Sequence, residues 1–130
     1  MEIITSGAAQ MTWDPDTRLA VLRFQSEARL TGKNAQDLVD AFSIWSGTEG
    51  KPFALLGDGG KLTGIDAEYR QVWSKFFATH RRDSFIAFFN MSPIIRVAAE
   101  MFRLGTGTKL KAFADEAGAR AWLRTQGFPA

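Results

Sequence analysis

The chain has 130 residues, of which 45% are hydrophobic, 23% are charged and none is cysteine, and its formal net charge is +2. That length points to a single domain, residues 1–130, with a core large enough to need no covalent staple. The missing cysteines exclude disulfides and thiolate-held metal. No apolar run approaches the roughly 20 residues of a membrane span. Residues 1–6 lack the basic start and apolar core of a signal peptide, so a soluble cytoplasmic protein is expected. The charge is uneven. Residues 1–69 carry six Lys and Arg against ten Asp and Glu, and residues 70–130 carry ten against four. A basic half can favour acidic partners, but solvated helix faces are the simpler reading of it.

In chain order, residues 1–7 read as a loosely ordered arm. Residues 8–14 read as a short strand, and Asp14-Pro15-Asp16-Thr17 supplies turn chemistry. Residues 18–24 alternate, so the two runs form an antiparallel hairpin. Thr31-Gly32-Lys33-Asn34 opens a first helix whose stripe is Ala35, Leu38, Val39, Phe42 and Trp45, closed by Gly47 and Gly50. Phe53-Ala54-Leu55-Leu56 is a continuous apolar run suited to a central parallel strand. A glycine-rich stretch, Gly57 to Gly64, then reads as an irregular loop. Asp66 is the expected cap of a second helix with the stripe Tyr69, Val72, Trp73, Phe76 and Phe77.

Residues 84–89 form the next strand. Ser92-Pro93 starts a third helix, with Ser at the cap and Pro at the first helical position. Its expected core stripe is Ile94, Val97, Ala98, Met101 and Phe102. After Gly105-Thr106-Gly107-Thr108, residues 110–113 form an edge strand. Asp115 caps a last helix whose core positions are Ala119, Trp122 and Leu123, and Gly127 ends it. The order β-β-α-β-α-β-α-β-α predicts an α/β fold with four helices and a mixed, mostly parallel sheet of about five strands.

That order, with Trp13-Asp14, the strand Phe53–Leu56, Ile65-Asp66-Ala67-Glu68-Tyr69-Arg70, Ala87-Phe88-Phe89-Asn90 before Ser92-Pro93-Ile94, and the closing run from Ala112 to Leu123, resembles the STAS domain. It resembles the SpoIIAA-like proteins of bacteria in particular. The resemblance implies a non-enzymatic regulatory domain that binds a partner protein. In anti-sigma-factor antagonists a serine at the start of the second helix is phosphorylated and the added charge breaks the complex. Here Thr63-Gly64-Ile65-Asp66-Ala67 holds no serine; Asp66 falls at or beside that position, where it can mimic a permanent charge, and Thr63 is the only nearby hydroxyl.

The resulting candidate surface comprises Asp58, Lys61, Thr63, Asp66 and Arg70. A phosphate cradle at Gly57-Asp58-Gly59-Gly60-Lys61 is the weaker reading, because the Gly-Lys-Ser/Thr of a phosphate loop is absent. The alternative function is binding of a lipid or a small apolar ligand, between the third helix and the sheet or at a membrane periphery. The third helix is apolar on more than one side, and Ile94, Ile95, Met101 and Phe102 are its candidate patch, open to a homodimer among other partners. No catalytic residues, cofactor or metal are expected: the one histidine, His80, reads as a surface residue at a helix end, with no cluster of ligands around it. Nucleic acid is not an expected partner, since the aromatics lie on core stripes.

Overall fold

The computed structural model describes residues 1–47 and 50–130. The main sheet has six strands: β1 (Glu2–Ser6), β2 (Ala9–Asp14), β3 (Leu19–Phe24), β5 (Phe53–Asp58), β7 (Ser84–Phe89) and β8 (Lys109–Phe113), in that spatial order. Two further strands, β4 (Ala28–Leu30) and β6 (Leu62–Ile65), pair with each other as a separate parallel ribbon. The helices are α1 (Gly32–Ser46), α2 (Ala67–Thr79), α3 (Pro93–Thr106) and α4 (Glu116–Thr125). From β3 onward the main sheet is parallel, while β2 is antiparallel to both β1 and β3.

The expected α/β order therefore holds, and β5 occupies the interior of the sheet with β8 at its edge. Three strands beyond the expected five are present. Residues 2–6 are an edge strand and not a loose arm. Their partner β2 supplies the backbone pairing, and the last residue of β1 is fastened to α1, where Ser6 Oγ donates to Asp37 at 2.7 Å and accepts from Asn34 Nδ2 at 3.1 Å. The Ser6 hydroxyl, more than the nearby Lys33, holds the Asp37 carboxyl below its ordinary range. β4 and β6 are three and four residues long, too short for a strand alternation to register in sequence.

Helix starts follow the chemistry expected of them. Thr31 caps α1 with a reciprocal box, its hydroxyl accepting from the Asn34 N–H while the Asn34 side chain accepts from the Thr31 N–H. Ser92 caps α3 with Pro93 behind it, and Asp115 accepts from the Gly118 N–H at the start of α4. α1, α2 and α3 cover one face of the sheet and α4 covers the other. On the three-helix face Phe42 is fully buried at the middle of an aromatic cluster, with ring centroids 5.8 Å from Trp13, 5.2 Å from Phe53, 6.3 Å from Trp73 and 5.3 Å from Phe76. Most of these pairs meet edge-on or tilted, the arrangement ring quadrupoles favour. On the α4 face Ala54, Leu56, Ala87, Ala119 and Leu123 pack with no exposure.

Candidate functional site

The carboxyl end of β5 leads into the glycine-rich stretch, and the structure spends that stretch on itself. Gly57 is still in the strand; a side chain there would meet the Phe88 ring at 2.5 Å, so glycine lets Phe88 lie across β5. The Gly59 N–H donates to the Phe89 carbonyl at 2.8 Å, and the Gly60 N–H donates to Asp58 Oδ1 at 2.9 Å. The Leu62 N–H donates to the Gly59 carbonyl at 3.2 Å. These N–H groups face internal acceptors and do not converge on an anion, so the phosphate-cradle reading fails on geometry.

The chain then enters β6, which sequence treated as loop. Lys61, just before it, and Thr63 within it are exposed. Asp66 stands at the cap position of α2, but its side chain makes no cap hydrogen bond, contrary to expectation. Its carboxylate instead accepts from Arg29 Nε of β4 at 2.5 Å, and its backbone N–H donates to the Leu30 carbonyl at 3.1 Å. Arg29 therefore outcompetes the helix for the Asp66 carboxylate. Gly64 makes room for it, since a Cβ there would lie 2.5 Å from the Arg29 guanidinium. Arg70, exposed one turn into α2, donates its N–H to the Asp66 carbonyl. The β6–α2 corner thus carries Lys61, Thr63, Asp66 and Arg70. Asp58 is set apart from them: its carboxylate holds the Gly60 N–H and lies 3.7 Å from Arg23 on the α4 side.

That side holds a network the sequence did not reveal. Arg23 Nη2 reaches both oxygens of Glu116 at 3.0 Å, and Arg120 Nε donates to Glu116 Oε2 at 2.8 Å. The Arg120 hydrogen bond is the main cause that holds the Glu116 carboxyl below its ordinary range; burial opposes it, and the Arg23 hydrogen bond and the charges of both arginines add to the lowering. Arg23 and Glu116 are 93 residues apart, so no local spacing signals the pair.

Beneath the β6–α2 corner lies an apolar cavity of about 80 Å³ between the sheet, α2 and α3. Leu55 and Ile86 contribute from the sheet, Tyr69 and Trp73 from α2, and Ala98 and Ala99 from α3. Small residues at 57, 98 and 99 face one another across it, which is why space remains between large rings. Burial pushes the Tyr69 phenol well up, with the neighbouring Trp73 N–H offsetting little of it. Trp73 is 5% exposed, and its buried indole N–H has the Tyr69 hydroxyl as its neighbour without forming a well-aligned hydrogen bond.

The candidate patch on α3 divides between two faces. Ile95 is buried and Phe102 is half-buried against the core, while Ile94 and Met101 are exposed together with Val97 and Leu104. The expected core stripe of α3 is thus rotated: Ile94, Val97 and Met101 face out and Ile95 and Ala99 face in. With both sides apolar, periodicity could not choose between them. His80 is not a free surface residue. It ends α2, half-buried, with its ring 4.7 Å from Phe76 and 5.4 Å from Phe53. Among the described residues no group of three or more His, Cys, Asp and Glu could hold a metal, and no helix is long and apolar enough to cross a membrane.

A family model described as SpoIIAA-like matches residues 21–124. No curated protein matches the sequence. Among solved structures, the chain is similar to an uncharacterised protein of the DUF3478 family with a SpoIIAA-like fold from Shewanella loihica PV-4, at 16% identity and a TM-score of 0.65, covering 94% of this chain and 90% of that one. It is similar to the activator SiaC, solved in complex with the diguanylate cyclase SiaD from Pseudomonas aeruginosa, at 11% identity and a TM-score of 0.62, covering 88% of this chain and 100% of the other. A third likeness, at 13% identity and a TM-score of 0.57, is to the murine anion transporter Slc26a9, where 83% of this chain matches 18% of the transporter. At these identities the likeness is one of fold.

Proposed function

The chain belongs to the SpoIIAA-like family, and from that premise we propose that it is a cytoplasmic, non-enzymatic regulatory domain that binds a partner protein through the β6–α2 corner. The observation that carries this reading is the Asp66–Arg29 pair. A carboxylate at the head of α2 is drawn off the helix and held at the surface, with side-chain exposures of 37% and 65% for Asp66 and Arg29. An exposed pair of this kind adds little to stability. Its value lies in presenting a fixed charge pattern, with Lys61, Thr63 and Arg70 around it. The activator SiaC, similar in fold, is found in complex with the enzyme it activates, which supports a partner protein for this fold as well.

In this reading Asp66 stands permanently charged where related proteins carry a switchable serine, so binding is not turned off by phosphorylation at that residue. The test is affinity capture from cells of the source organism with Asp66→Lys and Thr63→Glu beside the wild type. Each substitution should lower recovery of a stoichiometric partner about tenfold, equivalent to about 1.4 kcal/mol, while thermal unfolding stays within a degree or two of wild type, as expected of exposed positions. Undiminished recovery in both variants would place the contact surface elsewhere.

A further inference from the structure

The two edges of the main sheet are built differently. β8 closes one edge with Lys109 and Lys111, both exposed, a charged finish that discourages further strand pairing. β1 ends the other edge with Glu2-Ile3-Ile4-Thr5-Ser6, three β-branched residues in a row with no lysine, proline or bulge. Among the described residues no strand pairs with its outer side. The ladder fixes which backbone groups lie open there. The Ala8 carbonyl accepts from the Gln25 N–H at 2.8 Å, so residue 8 faces the β3 side. Hydrogen-bonding direction alternates along an antiparallel strand. Ala9, Met11 and Trp13 therefore face β1, where Ser6, Ile4 and Glu2 are their register partners. Ile3 and Thr5 turn their N–H and C=O groups outward, and both residues are exposed.

The side chains beside this edge set what can pair with it. Ile3 lies on the α4 side of the sheet, in one row with Thr12 and Val21, and α4 packs chiefly on β5, β7 and β8. Glu2, Ile4 and Ser6 lie on the opposite side, where Ser6 holds Asn34 and Asp37 of α1. The charged residues of β1 and α1 are Glu2, Asp37 and Asp40 against Lys33. A second copy of this chain across the edge would set like charges side by side, whereas a basic strand would meet opposite ones. We propose that the β1 edge takes up an extended segment of a partner protein in which β-branched residues alternate with lysine or arginine. Its backbone adds a strand to the sheet through Ile3 and Thr5. Its β-branched side chains continue the row of Ile3, Thr12 and Val21. Its basic side chains lay their stems over Ile4 and carry their heads to the carboxylates. This surface shares no residue with the β6–α2 corner, so the failure of either reading leaves the other standing.

The probe is the peptide Thr-Lys-Val-Lys-Thr-Lys-Val, capped at both ends, beside its counterpart with glutamate in place of lysine. In a nitrogen-15 spectrum of the full chain, the lysine peptide should move the Ile3 and Thr5 amide signals downfield and saturably. The amides of Glu2 and Ile4, which face β2, should move less. The glutamate peptide should bind at least about 3-fold more weakly, and Glu2→Lys with Asp40→Lys should reverse the preference, each exposed charge being worth a few-fold. Thr5→Pro removes an outward N–H that β2 does not use and should abolish the shifts. A lysine peptide methylated at alternate backbone nitrogens should fail in the same way, and it serves if Thr5→Pro does not fold. No saturable shift at Ile3 and Thr5, equal binding of the two peptides, or undiminished binding in folded Thr5→Pro or of the methylated peptide would each overturn the proposal. So would Ile3 and Thr5 signals that move with protein concentration alone while sedimentation shows a doubled mass, because the edge would then belong to a second copy.

Discussion

On one face of the main sheet, three helices stand over a cluster of aromatic rings; on the other, a single helix covers a centre of alanines and leucines edged by a smaller set of rings. The first face contains an unfilled cavity and an indole N–H without a well-aligned hydrogen bond. The second is capped by Arg23, Glu116 and Arg120, which satisfy one another. Both faces are buried, so burial does not distinguish them. What differs is how many elements bring rings together at one place. On the α4 face the alanines and leucines at the centre pack closely, and the rings of Phe85, Phe113, Trp122 and Phe128 meet one another around them. Rigid rings from three helices must tile around one another, and where they meet Gly57, Ala98 and Ala99 the tiling is incomplete. The α4 face is closed over by one helix, and the three-helix face is where the packing leaves a cavity.

The largest effect expected of a single substitution tests that contrast. Phe42→Ala removes the ring against which Trp13, Phe53, Trp73 and Phe76 pack, and it should cost about 4 to 5 kcal/mol in urea unfolding. Leu123→Ala, on the buried side of α4 and equally buried, should cost about 3 kcal/mol, because it removes a smaller side chain. A larger loss at Leu123 would reverse the comparison and make the α4 face the less adaptable of the two.

The polar end of the α4 face should respond to pH. Glu116 is held below the ordinary glutamate value of 4.5, first by the Arg120 hydrogen bond. Because the folded state binds its proton less readily than the unfolded chain, the stabilisation is whole above that value. It is lost as pH falls from 4.5 through the lower folded value. The side chain is 36% exposed, so screening limits the gain, and Glu116→Gln should cost about 1 kcal/mol at neutral pH. The difference between wild type and variant, followed by urea unfolding from pH 7 to pH 3, should shrink on the acid side. A difference constant over that range would mean that the network contributes packing and not charge.

The same contrast explains what the sequence disclosed. The alternation of strands and helices, the interior position of residues 53–56, and the caps at Thr31, Ser92 and Asp115 are local signals, carried by periodicity and by residues three apart. They were legible for that reason. The ribbon of β4 and β6 was not, because strands of three and four residues show no period, and their pairing joins segments separated by a whole helix. Asp66 had the right residue type for a cap, and the competing group, Arg29, lies 37 residues away. The candidate corner was therefore located from sequence, while the bond that defines its chemistry was not. The cavity was half legible: an apolar pocket between α3 and the sheet follows from the apolar helix, but the poor alignment of the Trp73 N–H depends on how every neighbour is packed.

The smallest expected effect concerns α3, where both kinds of surface meet on one element. Ile94, Val97, Met101 and Leu104 recur at three- and four-residue steps and are 81%, 62%, 63% and 69% exposed. Sequence alone assigned three of these residues, Ile94, Val97 and Met101, to the core stripe, and the structure puts them on the outer face. If the outward face contributes nothing to the monomer, Ile94→Lys and Leu104→Lys should each change stability by no more than about 0.5 kcal/mol, and the double variant should be additive, the two sites being ten residues apart on the helix. The measurement is urea unfolding at two protein concentrations. At high dilution the variants and wild type should coincide. A destabilisation of about 1 kcal/mol or more that appears only at the higher concentration would mean that wild-type chains bury this face against one another, since association of folded chains raises apparent stability by mass action. A loss independent of concentration would mean that the face packs within its own chain, and the division of α3 into an inner and an outer side would have to be redrawn.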